Sequence, residues 1–154
     1  AGLAQTIAPV DHAGRPRDLL PDIGAFEYDS IVNSIAIRSL LQPQGRLIGG
    51  SSLVVQLRIY NSGSAPLTQL QLNYRLGTGA THSESWQGSV ASGDSLLYTF
   101  NQNLLIPTQL SEMPNFTVWT SAPNGQNDYY PTDDTVQTTL CIAIPSGTYE
   151  IGTQ

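Results

Sequence analysis

The chain has 154 residues, with 12 acidic side chains against six arginines and a formal net charge of −6. The length suits one domain with an appendage. The negative charge disfavours nucleic acid and anionic membrane surfaces as partners, because both bind cationic faces. Only 12% of the residues are charged, against about 25% in typical soluble domains. No apolar run in the sequence approaches the roughly 18 residues that a membrane-spanning helix needs.

The first predicted unit is an extended N-terminal segment, residues 1–30, in which no alternating strand pattern occurs. It contains the run Asp11-His12-Ala13-Gly14-Arg15-Pro16-Arg17 and then Pro21-Asp22-Ile23-Gly24-Ala25-Phe26-Glu27-Tyr28. These two motifs resemble the end of the last coil in secreted right-handed β-helix proteins. The resemblance implies that the segment terminates a preceding β-helix and that the chain is a piece of a larger secreted or surface-anchored bacterial protein.

From residue 31 the sequence predicts short β-strands, because apolar residues alternate with polar ones at the two-residue period of a half-buried antiparallel strand. In the clearest run Leu57 lies on one face and Arg58 on the other. The predicted strands lie near 35–43, 53–59, 70–76, 83–86, 95–100, 116–120 and 135–144, and turns rich in Gly, Pro, Asn and Ser separate them. The run at 83–86 is the weakest and is expected at a sheet edge. The predicted fold is an all-β, Ig-like antiparallel β-sandwich of about seven strands.

Two motifs in the predicted sandwich are similar to those of bacterial adhesion-related CARDB domains. The run Val55-Gln56-Leu57-Arg58-Ile59-Tyr60-Asn61-Ser62-Gly63 is similar to their V-x-V-x-N-x-G strand, and the acidic run at 127–135 stands where they carry an acidic loop before the last strand. Asp133-Asp134 replaces the usual Asn-Asn or Asp-Asn. The resemblance covers roughly 31–144 and implies an adhesion-related domain, whose boundaries we place at 31–145.

The tail, 146–154, is expected to begin a following module or to serve as a linker. Ser146-Gly147-Thr148-Tyr149-Glu150-Ile151-Gly152 resembles the S-G-T-Y-x-I-G opening of another module in large bacterial surface proteins. The alternative is that these residues extend the last strand.

Three aspartates, Asp128, Asp133 and Asp134, are the candidate metal ligands. They supply several carboxylate oxygens within one loop, which is the ligand type that calcium prefers. Their spacing does not match the EF-hand loop, so the sequence favours a solvated acidic turn and no cofactor, with calcium as the alternative.

Four aromatic residues, Trp86, Trp119, Tyr129 and Tyr130, are the candidate ligand-binding residues. Trp119 has the opposite parity to Phe116 and Val118, so it is expected to point away from the core, where an exposed ring would stack on a sugar. Packing against a neighbouring domain or a sheet edge is the commoner use of such residues.

The sequence predicts no catalytic residue. His12 and His82 have no nucleophile beside them, and His82 is expected to face solvent. Glu84 and Glu112 are expected in separate loops, whereas glycoside hydrolysis needs two converging acids. The single cysteine, Cys141, stands between Leu140 and Ile142 and is expected to be a buried apolar residue, with an exposed reactive thiol as the alternative.

The sequence therefore predicts a non-enzymatic, adhesion-like or spacer domain at the cell surface or outside the cell. Its expected partners are neighbouring domains of the same polypeptide and a glycan or surface protein, with no nucleic acid and no membrane insertion. The alternative is a carbohydrate-binding module attached to a polysaccharide-degrading enzyme.

Overall fold

The structure, a computed structural model, describes residues 31–108 and 113–143. The predicted segment 1–30 and tail 146–154 lie outside these ranges. The chain divides into two units, Ala1–Ser30 and Ile31–Gln154, and every described residue belongs to the second. Within the described ranges, no helix has the length and apolar character needed to cross a membrane.

The described residues form strands and a single 3-10 helix. The strands are β1 (Ile35–Gln42), β2 (Leu47–Ile48), β3 (Ser52–Leu53), β4 (Gln56–Asn61), β5 (Leu67–Leu76), β6 (His82–Val90), β7 (Ser95–Thr99), β8 (Leu104–Leu105), β9 (Asn115–Ser121), β10 (Thr135–Thr139) and β11 (Ile142–Ala143). The 3-10 helix, Pro123–Gly125, follows β9.

Two antiparallel sheets contain the seven longer strands, which confirms the predicted sandwich. One sheet has the order β1-β4-β7 and the other has the order β10-β9-β5-β6. Strand β6 is longer than predicted but lies at a sheet edge, as expected. The last predicted strand is divided in two, because β10 pairs with β9 whereas β11 pairs in parallel with β2.

The core lies between the two sheets and consists of the residues with inward parity. Leu57 and Phe116 are fully buried, each at 0% exposure. Around them pack the other buried apolar side chains, among them Ile35, Val55, Ile59, Leu67, Leu70, Leu72, Tyr74, Tyr98, Phe100 and Val118. Because each strand contributes every second residue, the outer face of each sheet is left to other side chains.

The turn after β4 explains the Asn-Ser-Gly motif. The Asn61 side chain is buried and donates hydrogen bonds to the carbonyls of Ala65 (2.9 Å) and Val90 (3.1 Å). At Gly63 an added Cβ would clash with the Val32 carbonyl oxygen and the Ser34 amide nitrogen. Only glycine fits where these two backbones approach so closely.

The first and last described residues, Ile31 and Ala143, lie at opposite ends of the sandwich. At the first end the amide of Ser64, in the turn after β4, donates to the Ile31 carbonyl (2.7 Å). Strand β1 then runs along the sheet for roughly 23 Å. At the far end the Gly49 amide donates to the carbonyl of Ala143, the last described residue (3.1 Å). Ile31 and Ala143 are therefore separated by about the length of the sheet.

Candidate functional site

Three carboxylates converge beside the start of β10 and form what we call the acidic cluster: Asp128, Asp133 and Asp134. Each contributes a carboxylate oxygen, and these atoms all lie within 4.8 Å of one another. The predicted grouping of the three aspartates is thus present in space as well as in sequence. Like charges this close repel one another strongly unless a proton or a cation lies between them.

Asp128 fastens the loop to the start of β1. Its carboxylate accepts hydrogen bonds from the Ile35 amide (2.7 Å), the Tyr130 amide (2.7 Å) and the Ser34 hydroxyl (3.2 Å). The bonds from Ser34 and Ile35 join residues far apart in sequence. They hold the acidic cluster in a fixed position at the end of the sandwich where the chain enters.

Asp134 is buried, at 5% exposure, so the expected solvated turn is wrong for this residue. The Thr120 hydroxyl donates to its carboxyl group at 3.2 Å. Burial, reinforced by the negative charge of Asp128, raises the pKa of Asp134 to about 7. Burial also raises the pKa of Asp133, although that residue is exposed and lies near Arg38. The cluster can therefore hold a proton near neutral pH, and its oxygens could hold a divalent cation.

A second polar network, which the sequence reasoning missed, surrounds Glu84. This residue lies on β6 and points inward, and its carboxylate accepts hydrogen bonds from the Tyr98 hydroxyl (2.7 Å), the Asn101 amide (3.0 Å) and the Gln102 amide (3.1 Å). His82 Nε2 lies 3.0 Å from the same carboxylate. Glu84 falls within the predicted strand at 83–86, and the structure confirms that strand over the alternative placement of Glu84 in a loop. The expectation that His82 faces solvent is wrong, because β6 begins at His82 and its ring packs beside Tyr74.

The Glu84 network is suited to holding the two sheets together. Burial alone would raise the pKa of Glu84, but the hydrogen bonds from Tyr98, His82 and the two amides outweigh it and lower the pKa to about 2. Burial and the bond to Glu84 raise the pKa of Tyr98. A carboxylate that stays charged to such low pH is a poor proton carrier at neutral pH. It instead joins β6 of one sheet to β7 of the other.

The four candidate aromatic residues occupy three different places. Trp86 is partly buried and packs against the core. Trp119 lies on the outer face of the four-stranded sheet and is half-buried. Tyr129 and Tyr130 are exposed loop residues whose rings form an edge-to-face pair, with centroids 4.7 Å apart.

Cys141 is exposed, which corrects the expectation that it is a core residue. Its neighbours Leu140 and Ile142 take the inward positions and pack with the core. Alternation then turns the thiol of Cys141 outward.

No protein-family model matches the sequence, and no curated protein matches it. Among solved structures the chain is similar to a CARDB domain from Pyrococcus furiosus, crystallised in complex with di-metal ions: the TM-score is 0.55 and the identity 9%, covering 78% of this chain and 100% of that one. A solution structure of a CARDB domain from the same organism gives a TM-score of 0.52 at 11% identity, covering 75% and 96% of the two chains. A β-glucosidase of Bifidobacterium adolescentis overlaps over 19% of its length, with a TM-score of 0.38. The chain therefore has a CARDB-like fold.

Proposed function

We propose that the sandwich is a non-enzymatic, adhesion-type spacer domain of a secreted or surface-anchored bacterial protein. The observation that carries this proposal is that Ile31 and Ala143, the first and last described residues, lie at opposite ends of the sheet, and we take them as the attachment points of neighbouring modules. A domain joined in this way separates the modules on either side of it by its own length. The CARDB-like fold supports the adhesion-related role.

The motifs at 11–28 and 146–152 support a position within a longer surface protein. They resemble the end of a β-helix and the opening of another module, so the partners of the domain would be its neighbours in the same polypeptide. The mechanism is mechanical: two hydrogen-bonded sheets, cross-linked by a shared core and by Glu84, transmit position and force without a cofactor.

A non-enzymatic domain should release no product from a polysaccharide. We expect no new reducing or unsaturated ends when the purified chain is incubated with neutral and acidic polysaccharides between pH 4 and pH 8. The measurement is a reducing-end assay combined with absorbance of unsaturated uronates. Product release that disappears in Glu84→Gln, with the folded state verified by circular dichroism, would establish an enzyme and end the spacer proposal.

We infer further that the acidic cluster binds a divalent cation, with calcium as the best candidate. Carboxylate oxygens are the ligands that calcium prefers, and the three aspartates place such oxygens within 4.8 Å of one another. A cation would replace the proton that Asp134 holds and would offset both the burial and the repulsion from Asp128 that raise its pKa. The CARDB neighbour crystallised with di-metal ions supports this assignment.

Calcium should stabilise the fold at neutral pH and should remove the fall in stability that otherwise accompanies rising pH. Because the folded-state pKa of Asp134 is raised to about 7, its protonated form is stabilising, and stability should fall as pH rises from about 4 to about 7. We expect millimolar calcium to raise the melting temperature at pH 7.5, since a ligand present at 100 times its Kd adds about 2.7 kcal/mol. Thermal unfolding with calcium or with a chelator measures this.

Asp134→Asn is the matched variant for that experiment. The amide imitates the protonated carboxyl group, so the free energy of unfolding at pH 7.5 without calcium should rise by about 1–4 kcal/mol, and the response to calcium should disappear. Asp94→Asn removes an acid from an exposed turn and should leave the calcium response intact. An unchanged melting temperature in calcium, or the same rise in Asp134→Asn, would contradict the cation site.

A further inference from the structure

The outer face of the four-stranded sheet has an unusual composition, and we call it the outer polar face. Its strand positions are Thr135, Gln137 and Thr139 on β10, Asn115, Thr117, Trp119 and Ser121 on β9, Gln69, Gln71, Asn73 and Arg75 on β5, and Ser83, Ser85 and Gln87 on β6. Among these positions Arg75 carries the only charge and Trp119 the only aromatic ring. All the others end in a hydroxyl or an amide.

Hydrogen bonds between these side chains hold the surface in a fixed arrangement. The Ser83 hydroxyl donates to Asn73 Oδ1 (2.7 Å), and the Asn73 amide reaches the Ser121 hydroxyl (3.4 Å). In the next row the Ser85 hydroxyl donates to Gln71 Oε1 (2.8 Å). Side chains fixed in this way lose little conformational entropy when a ligand binds.

Trp119 stands near the middle of the outer polar face, between two hollows. Its cross-strand neighbours are Thr135 on β10 and Asn73 on β5. On one side of its row a cavity of about 200 Å³ is bordered by residues that include Gln71, Ser85 and Trp86. On the other side an open cleft of about 510 Å³ is bordered by residues that include Arg75, Asn115, Thr117 and Gln137. The face extends for roughly 20 Å along the strands.

We propose that the outer polar face binds a neutral glycan chain. A sugar ring offers an apolar C–H face and a rim of uncharged hydroxyls, which match an indole ring surrounded by amides and hydroxyls. The face matches an uncharged ligand because its strand positions carry one cation, Arg75, and no carboxylate. A polyanion would find only one positive charge there, and a basic peptide would find no negative charge. The inference gives the proposed adhesion role a ligand class and rests on that role.

Trp119 is the only one of the four candidate aromatic residues among the strand positions of the outer polar face, and no residue of the acidic cluster is among them. Trp86 has inward parity on β6 and packs against the core, although it also borders the smaller hollow. Tyr129 and Tyr130 belong to the acidic loop, in which the Asp128 carboxylate accepts a hydrogen bond from the Tyr130 backbone amide. Glycan binding on the outer polar face therefore needs Trp119 and should not need calcium.

The experiment is a calorimetric and fluorescence titration of the full chain with soluble β-1,4-linked hexasaccharides of glucose, mannose and xylose. A polygalacturonate oligomer serves as the anionic probe. We expect at least one neutral hexasaccharide to bind and to protect Trp119 from acrylamide quenching, with the same affinity in calcium and in chelator. The anionic oligomer should bind more weakly.

Two variants and one control locate the site. Trp119→Ala should weaken binding by at least about tenfold, as truncation of a central aromatic anchor does, and Trp119→Tyr should restore part of the affinity because it keeps a ring. Gln71→Ala should weaken binding less than Trp119→Ala. Tyr130→Ala should bind like the parent chain. Melting curves identify any variant that fails to fold, in which case Trp119→Tyr and Gln71→Ala carry the test.

Several outcomes would overturn the proposal. One is the absence of binding to every neutral hexasaccharide at millimolar concentration. A second is binding that survives Trp119→Ala but disappears in Tyr130→Ala. A third is protection of Trp119 that depends only on protein concentration, because a second copy of the chain would then cover the face. None of these outcomes bears on the spacer proposal, which depends on the positions of the attachment points.

Discussion

Replacing Leu57 with alanine should lower the free energy of unfolding by about 2–5 kcal/mol, the usual cost of a large-to-small change in a core. Leu57 is at 0% exposure in the central strand of its sheet, so the surrounding side chains cannot collapse fully into the space it leaves. Chemical denaturation followed by circular dichroism measures the change.

Arg58→Ala is the matched control, because Arg58 is the next residue on the same strand and faces solvent. This change should cost well under about 1 kcal/mol. Equal losses for the two variants would mean that both faces of β4 are buried, which the sandwich does not allow.

Replacing Glu84 with alanine should cost about 2–4 kcal/mol, because several donors that now bind a charged carboxylate would lose their partner. The hydroxyl of Tyr98 and the amides of Asn101 and Gln102 are the donors concerned. The loss should appear as looser packing between β6 and β7. Hydrogen exchange of the Asn101 and Gln102 amides reports it directly.

The Glu84 network also predicts a loss of stability in acid. The pKa of the Glu84 carboxyl group is lowered in the folded state to about 2 from an ordinary value of 4.5. The stabilisation that the charged carboxylate provides is therefore fully present above pH 4.5 and is lost as pH falls toward 2. Glu84→Ala should remove that part of the pH dependence, whereas Asp94→Asn, an exposed acid, should not. If the free energy of unfolding falls with decreasing pH as steeply in Glu84→Ala as in the parent chain, the Glu84 network is not the source of that fall.

Much of the fold followed from alternation alone. The parity of Leu57 against Arg58, and of Phe116 against Trp119, is a local property of the sequence, and the structure places each of these residues on the predicted face. The division of the last strand could not be predicted in this way. It depends on a pairing between Ile142 and Leu47, which are far apart in the chain.

The candidate sites were less predictable because burial is decided by distant residues. The three aspartates share one loop, but the burial and raised pKa of Asp134 arise where β9 and β1 pack beside that loop. For Glu84 a usable signal was present: His82, Glu84 and Trp86 have one parity, and the serines between them have the other. Read as a strand, that pattern turns the carboxylate inward. Alternation also explains Cys141: its neighbours Leu140 and Ile142 point inward, so the side chain of Cys141 points outward.

The central claim is that the sandwich carries load along its length between attachment points at its two ends, and force spectroscopy tests it most directly. The full chain, with Cys141 replaced by serine, would be held through cysteines introduced at Val32 and Ala143. This geometry loads β2 against β11 and β1 against β4 lengthwise, so that the hydrogen bonds within each pair resist together. Handles at Val32 and Ser62, both at the entry end, would instead open β1 from β4 one bond at a time.

We expect the lengthwise geometry to give one cooperative rupture that releases roughly 340–380 Å of chain, the extended length less the folded distance between the handles, at a force several-fold higher than the opening of β1 from β4 one bond at a time. That result is what a spacer domain requires. Gradual extension at low force, or equal rupture forces in the two geometries, would contradict the account.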